Sequence, residues 1–128
     1  MILVDSCVLI DSLRTNSKKL DHLFLTLPVC TCGVVRAEIL RGVRTVQERR
    51  QLHVFLARFT LVPMAEYVWD TVGDHMSHYR SRGLAITLND AILATLAIEA
   101  GLELWTRDAH FVQMQAALPG LVLYAEPP

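Results

Sequence analysis

The sequence predicts an α/β fold, a central and mostly parallel β-sheet flanked by α-helices on both faces. Three observations predict it. Short apolar runs alternate with helical stripes from one end to the other, the pattern of β-α units rather than of a bundle or a sandwich. Runs such as Ile2-Leu3-Val4 are continuously apolar, as befits strands covered on both sides. The 128 residues are 52% hydrophobic with mean hydropathy +0.34. That length suits one domain over residues 1–128, burying about two-thirds of the surface of the unfolded chain.

Ile2-Leu3-Val4 reads as a strand ending at Asp5, followed by a helix from about Ser6 to Arg14. Leu20, Leu23, Phe24 and Leu27 form an i, i+3, i+4, i+7 stripe, hence a second helix. Pro28 begins a strand through Val29 and Cys30, and Val34 to Arg41 reads as a helix ending at Gly42. Thr45-Val46-Gln47-Glu48 matches a capping box, and the helix after it buries Leu52, Phe55, Leu56 and Phe59. Thr60-Leu61-Val62-Pro63 is a third strand. From Glu66 to Arg82 a helix turns Val68, Val72, Met76 and Tyr79 inward and stops at Gly83. Thr87-Leu88-Asn89-Asp90 opens an Ala-rich helix that Gly101 ends. Leu102 to Trp105 is a strand, Asp108 to about Gln115 a short helix and Leu121 to Tyr124 a last strand.

Several function classes are excluded. The apolar content argues against disorder, and no apolar stretch approaches the roughly 20 residues of a membrane span. The beginning, MILVDSC, lacks the basic region and cleavage site of a secretory signal, so a cytoplasmic protein is expected. The cysteines Cys7, Cys30 and Cys32 are expected as reduced thiols, and Cys30-Thr31-Cys32 lacks the spacing of a zinc knuckle. Net charge is −1, so any nucleic-acid contact must be local.

In parallel sheets ligands bind outside the carboxyl ends of the strands. Asp5 and Asp108 follow two of the expected strands, Asp90 begins a helix, and Glu38 lies within a mostly apolar helix. Singly, each Asp is as well explained as a helix cap, and Glu38 as an exposed charge beside Arg41. Together they point to a hard divalent cation. Carboxylates about 4 Å apart repel by about 4 kcal/mol at an effective dielectric near 20. Folding offers no reason to gather them, whereas Mg²⁺ seeks oxygen ligands.

Three stretches carry a family resemblance: ILVDSCVLIDSL, AEILRG, and LNDAILATLAIEAGLELWTRDAHF. They resemble the PIN-domain ribonuclease family, in particular its small VapC-type toxins, over essentially the whole chain. That family has an Asp after the first strand, a Glu in a helix, an Asp in a later helix and an Asp in T-x-D-x-x-F. The matching positions are Asp5, Glu38, Asp90 and Asp108. The resemblance implies Mg²⁺ or Mn²⁺ held by Asp5, Asp90 and Asp108, with Glu38 a ligand through water or a positioner of the nucleophile. It implies cleavage of single-stranded RNA by in-line attack of an activated water, leaving a 5′-phosphate and a 3′-hydroxyl. It further implies a homodimer and a cognate antitoxin that occludes the site. Cys7 and His110 depart from the family pattern; His110 replaces a further acid and is expected as a partly exposed structural residue.

Ser6 and Thr106 are candidates for orienting the ligand carboxylates by hydrogen bonds. Arg41, Arg44 and Arg107 are candidate RNA or antitoxin contacts, because guanidinium forks suit phosphate. Arg107, next to Asp108, could steer a phosphate toward the metal. Glu66, Asp70, Asp74, His78 and Arg82 read as one solvated helix face. Leu93, Leu96 and Trp69 fit either an ordinary core or a groove for a partner. The competing functional reading is a catalytically quiet module that binds RNA or protein. A phosphotransfer receiver lacks its late lysine, since the lysines are Lys18 and Lys19, and a haloacid-dehalogenase-like phosphatase would need Asp where Cys7 stands.

Overall fold

A computed structural model describes residues 1–128. In chain order the elements are β1 (Ile2–Val4), α1 (Ser6–Thr15), α2 (Lys18–Thr26), β2 (Val29–Cys32), α3 (Gly33–Leu40), α4 (Val46–Leu56), β3 (Thr60–Val62), α5 (Glu66–Ser81), α6 (Leu88–Ala100), β4 (Glu103–Trp105), α7 (His110–Ala117) and β5 (Val122–Leu123). The strands form one sheet in the order β3-β2-β1-β4-β5. Every pairing is parallel, so the sheet is wholly rather than mostly parallel.

Sequence chemistry sets the helix ends. Asp5, Ser17, Thr45 and Thr87 cap α1, α2, α4 and α6 with their side chains. The expected capping box is present in altered form. Thr45 Oγ1 accepts the Glu48 N–H, but the Glu48 carboxylate reaches past the cap to the Arg44 N–H. Gly101 closes α6 at φ 67° and Gly83 follows α5 at φ 77°, left-handed conformations that glycine adopts without steric cost.

β1 and β2 are buried throughout, β1 as its uninterrupted apolar run requires. Trp105 of β4 lies between Phe24 (centroids 5.5 Å apart) and Tyr124 (5.0 Å), and Phe24 meets Phe59 edge-on at 5.2 Å. α6 is Ala-rich, and Ala91 through Ala97 are all buried; its small side chains let α5 and the sheet approach closely. Leu93 and Leu96 belong to this core, while Trp69 is half exposed. Trp69 rims a hollow of about 430 Å³ with Leu61, Val62, Pro63 and Met64 beside the edge strand β3; none of the candidate acids lines it.

Three local expectations differ. β2 continues through Thr31 and Cys32, which pair with Leu61 and Val62 of β3, and the polar Thr31 is buried there. α4 ends at Leu56, so Phe59 reaches the core from the turn after it while Leu52 and Phe55 stay half-buried. α7 begins at His110, leaving Asp108 in the turn before it.

The topology places the site. From β1 the chain moves outward to β2 and β3; α5 and α6 then carry it back past β1 to β4. Right-handed crossovers in opposite directions put their helices on opposite faces. The loops leaving the adjacent strands β1 and β4 therefore diverge, opening a crevice at their carboxyl ends.

Candidate metal centre

Asp5 leaves β1 at this crevice. Its backbone N–H donates to the Trp105 carbonyl at 2.8 Å, continuing the β1–β4 ladder and setting Asp5 beside Thr106. The carboxylate is buried, at 6% exposure, and is held by donors. Oδ1 accepts the Ser6 N–H at 2.7 Å, and Oδ2 accepts the Thr106 hydroxyl at 2.8 Å and the Cys7 thiol at 3.4 Å. The Ser6 hydroxyl lies 3.4 Å from both Asp5 Oδ1 and Glu38 Oε1, linking α1 to α3. Ser6 and Thr106 thus both touch the Asp5 carboxylate.

Asp90 sits in the first turn of α6, where its N–H donates to Thr87 Oγ1 at 3.3 Å. A carboxylate there gains from the helix dipole, yet the Asp90 pKa is raised. Burial is the main cause, followed by the charges of Asp5 and Asp108. Burial also raises the Glu38 pKa first, followed by the charges of Asp5 and Asp90. Asp108 occupies the turn after β4: its N–H donates to Thr106 Oγ1 at 3.1 Å, and its Oδ1 accepts the His110 N–H at 2.9 Å. The carboxylates of Asp90 and Asp108 and a ring nitrogen of His110 lie within 4.8 Å of one another. Asp5 and Glu38 complete the crevice on the side of α1 and α3.

The donor set fits a divalent cation. Hard carboxylate oxygens converge from separate elements, and burial first, then neighbouring carboxylates, raise the pKa values of Asp90 and Glu38, both costs that such an ion would offset.

The crevice lies at the switch point of an all-parallel sheet. The PIN domain model matches residues 2–117. The chain belongs to the PIN domain family. Over 123 residues this PIN domain is 36% identical to Ribonuclease VapC10 of Mycobacterium tuberculosis, covering 93% of this chain and 92% of that protein. Its fold is similar to that in the crystal structure of VapBC2 from Rickettsia felis bound to a DNA fragment from their promoter. There the TM-score is 0.82 at 20% identity, covering 97% of this chain and 98% of the other. FitAcB from Neisseria gonorrhoeae is similar at TM-score 0.76 and 21% identity, covering 98% and 97%.

The remaining expected residues of the PIN domain lie elsewhere. Arg41 and Arg44 are exposed. The expectation that Arg107 steers a phosphate meets a different geometry. Its guanidinium donates to Glu126 through Nε at 3.0 Å and Nη2 at 2.8 Å, and to Asp11 through Nη1 at 3.0 Å. Two carboxylates already occupy the fork. Sequence reasoning missed Glu126 because its partner lies 19 residues away, beyond any local pattern. His110 is exposed, as expected, and its ring lies beside the Asp90 and Asp108 carboxylates. The expected solvated face of α5 is interrupted at His78, whose Nε2 lies 2.8 Å from the Ala117 carbonyl. No helix is long and apolar enough to cross a membrane.

Proposed function

We propose that this PIN domain is a metal-dependent endoribonuclease and the toxin of a toxin–antitoxin pair. The observation that carries the reading is the convergence of Asp90 and Asp108 beside the buried Asp5, at the carboxyl ends of β1 and β4. The similarity to Ribonuclease VapC10 supports RNA as substrate, and the VapBC2 fold neighbour supports an antitoxin partner. The cation is Mg²⁺ or Mn²⁺. When bound, it supplies charge neutralisation at the phosphodiester and activation of a water.

The residues of the chain divide the remaining work. Asp5, Asp90 and Asp108 hold the ion, directly or through water. Thr106 and the Ser6 N–H hold the Asp5 carboxylate in one orientation. Glu38, across the crevice and joined to Asp5 through Ser6, holds a water or orients the attacking one. Cleavage leaves a 5′-phosphate and a 3′-hydroxyl. Exposed Arg41 and Arg44 offer phosphate or antitoxin contacts next to α3. The protein works as a cytoplasmic homodimer whose cognate antitoxin covers the crevice.

The test is an RNA digest by purified protein with Mg²⁺ or chelator, alongside Asp5→Asn and Asp90→Asn. Metal-dependent cleavage by the parent protein alone is expected, with 5′-phosphate ends. RNA binding without cleavage at any metal concentration would instead favour the quiet binding module.

A further inference from the structure

We propose that His110 is a nitrogen ligand of the cation in this crevice, making a mixed imidazole–carboxylate centre that favours a first-row transition ion over Mg²⁺. The inference rests on the metal-dependent reading above and deepens it.

The geometry comes first. A ring nitrogen of His110 and carboxylate oxygens of Asp90 and Asp108 lie within 4.8 Å of one another. Two donors each about 2.1 Å from one ion are at most about 4.2 Å apart. Neighbouring donors of an octahedral shell lie about 3 Å apart, so the gap to close is up to about 2 Å, within reach of side-chain rotations. The side chains of His110 and Asp108 are 54% and 46% exposed and free to make them.

The ring is also uncommitted. His75 and His78 spend ring nitrogens on Thr95 and Ala117 at 2.9 and 2.8 Å. His110 makes only a backbone bond, its N–H to Asp108 Oδ1 at 2.9 Å; its Nδ1 stands 4.0 Å from that oxygen, too far for a hydrogen bond. That backbone bond anchors the Asp108 carboxylate while leaving the imidazole facing the same space. The position also opens α7, so the ring is carried on a helix rather than on a loose loop.

Ligand chemistry gives the consequence. Mg²⁺ prefers oxygen donors and dehydrates reluctantly, whereas imidazole suits transition metals. One nitrogen among carboxylates therefore tilts the choice toward ions such as Mn²⁺ without excluding Mg²⁺.

The experiment loads the full chain with Mn²⁺ and records pulsed electron paramagnetic resonance for coupling to ¹⁴N. Mn²⁺ and Mg²⁺ affinities are measured by calorimetry in parallel. His110→Gln and His110→Asp are the variants, and circular dichroism verifies their fold. The parent protein should show ¹⁴N coupling that both variants lose, and His110→Gln should bind Mn²⁺ at least about 10-fold more weakly. His110→Asp should retain Mn²⁺ binding while narrowing the preference for Mn²⁺ over Mg²⁺. Bound Mn²⁺ without ¹⁴N coupling, or coupling that survives in His110→Gln, would overturn the inference and leave the proposed function standing. Failure of the parent protein to take up Mn²⁺ would overturn both.

Discussion

Two groups of carboxylates flank the three residues after β4, and they are built on opposite principles. On one side Arg107 is gripped by Glu126 and Asp11, while Glu126 also accepts the Trp105 indole N–H at 2.9 Å and Lys19 Nζ at 3.4 Å. These donors, Arg107 above all, hold the Glu126 pKa down at about 2. On the other side Asp108 faces Asp90 and His110 with Asp5 nearby, and the pKa of Asp90 is raised. Charges that serve the fold are matched by cations within the chain. The crevice gathers like charges and leaves their main counterion to be supplied from outside. Thr106 belongs to the crevice alone, where its hydroxyl donates to Asp5 and accepts the Asp108 N–H.

The largest effect that would sharpen this contrast is expected from Asp90→Asn. RNA cleavage should fall to the no-enzyme background in a gel-based digest. The metal-free protein should melt no lower than the parent, because the substitution relieves repulsion. A drop in melting temperature of several degrees would instead assign Asp90 to the fold. Thr106→Val comes next. It removes a donor to Asp5 and should lower metal affinity or cleavage rate about 10–100-fold while the fold persists. Unchanged metal affinity and rate would show that Thr106 does not position Asp5 for the ion.

Glu126→Gln should act on stability rather than chemistry. The side chains of Glu126 and Arg107 are 22% and 36% exposed, so solvent screens the pair and about 1 kcal/mol of unfolding free energy is expected to be lost. Chemical denaturation measures it, and a cost near zero would reduce the clamp to a surface ornament.

The smallest effect is in the pH profile. The folded-state pKa of Glu126, about 2, lies below its ordinary 4.5, so its stabilisation is complete above 4.5 and fades as pH falls toward 2. The raised pKa values of Asp90 and Glu38 have the opposite sign. Without metal, their destabilisation develops as pH rises from the ordinary carboxylate range through their raised values. Melting temperatures from pH 2 to 7 should therefore show an acid-side loss that Glu126→Gln removes. They should also show a shallow decline at higher pH that Asp90→Asn weakens.

Much of this was legible in the sequence because the determinants are local. Thr87 caps the helix that bears Asp90, Gly101 ends it, and the apolar run before Asp5 ends where the sheet ends. What escaped depends on tertiary proximity. Thr31 is polar, yet it lies buried within β2, paired with Leu61 of β3. Arg107 reads as a free cation until the chain returns with Glu126. His110 reads as a surface residue, and is one, but its ring shares the space of two carboxylates brought in by α6 and by the turn after β4.

The claim beneath all of these expectations is that the crevice carboxylates gather around a divalent cation. Anomalous diffraction from crystals equilibrated with Mn²⁺ tests it most directly. The account predicts a peak within ligand distance of Asp90 and Asp108, absent in Asp90→Asn. A well-ordered crevice with no peak, or peaks confined to other parts of the surface, would contradict it.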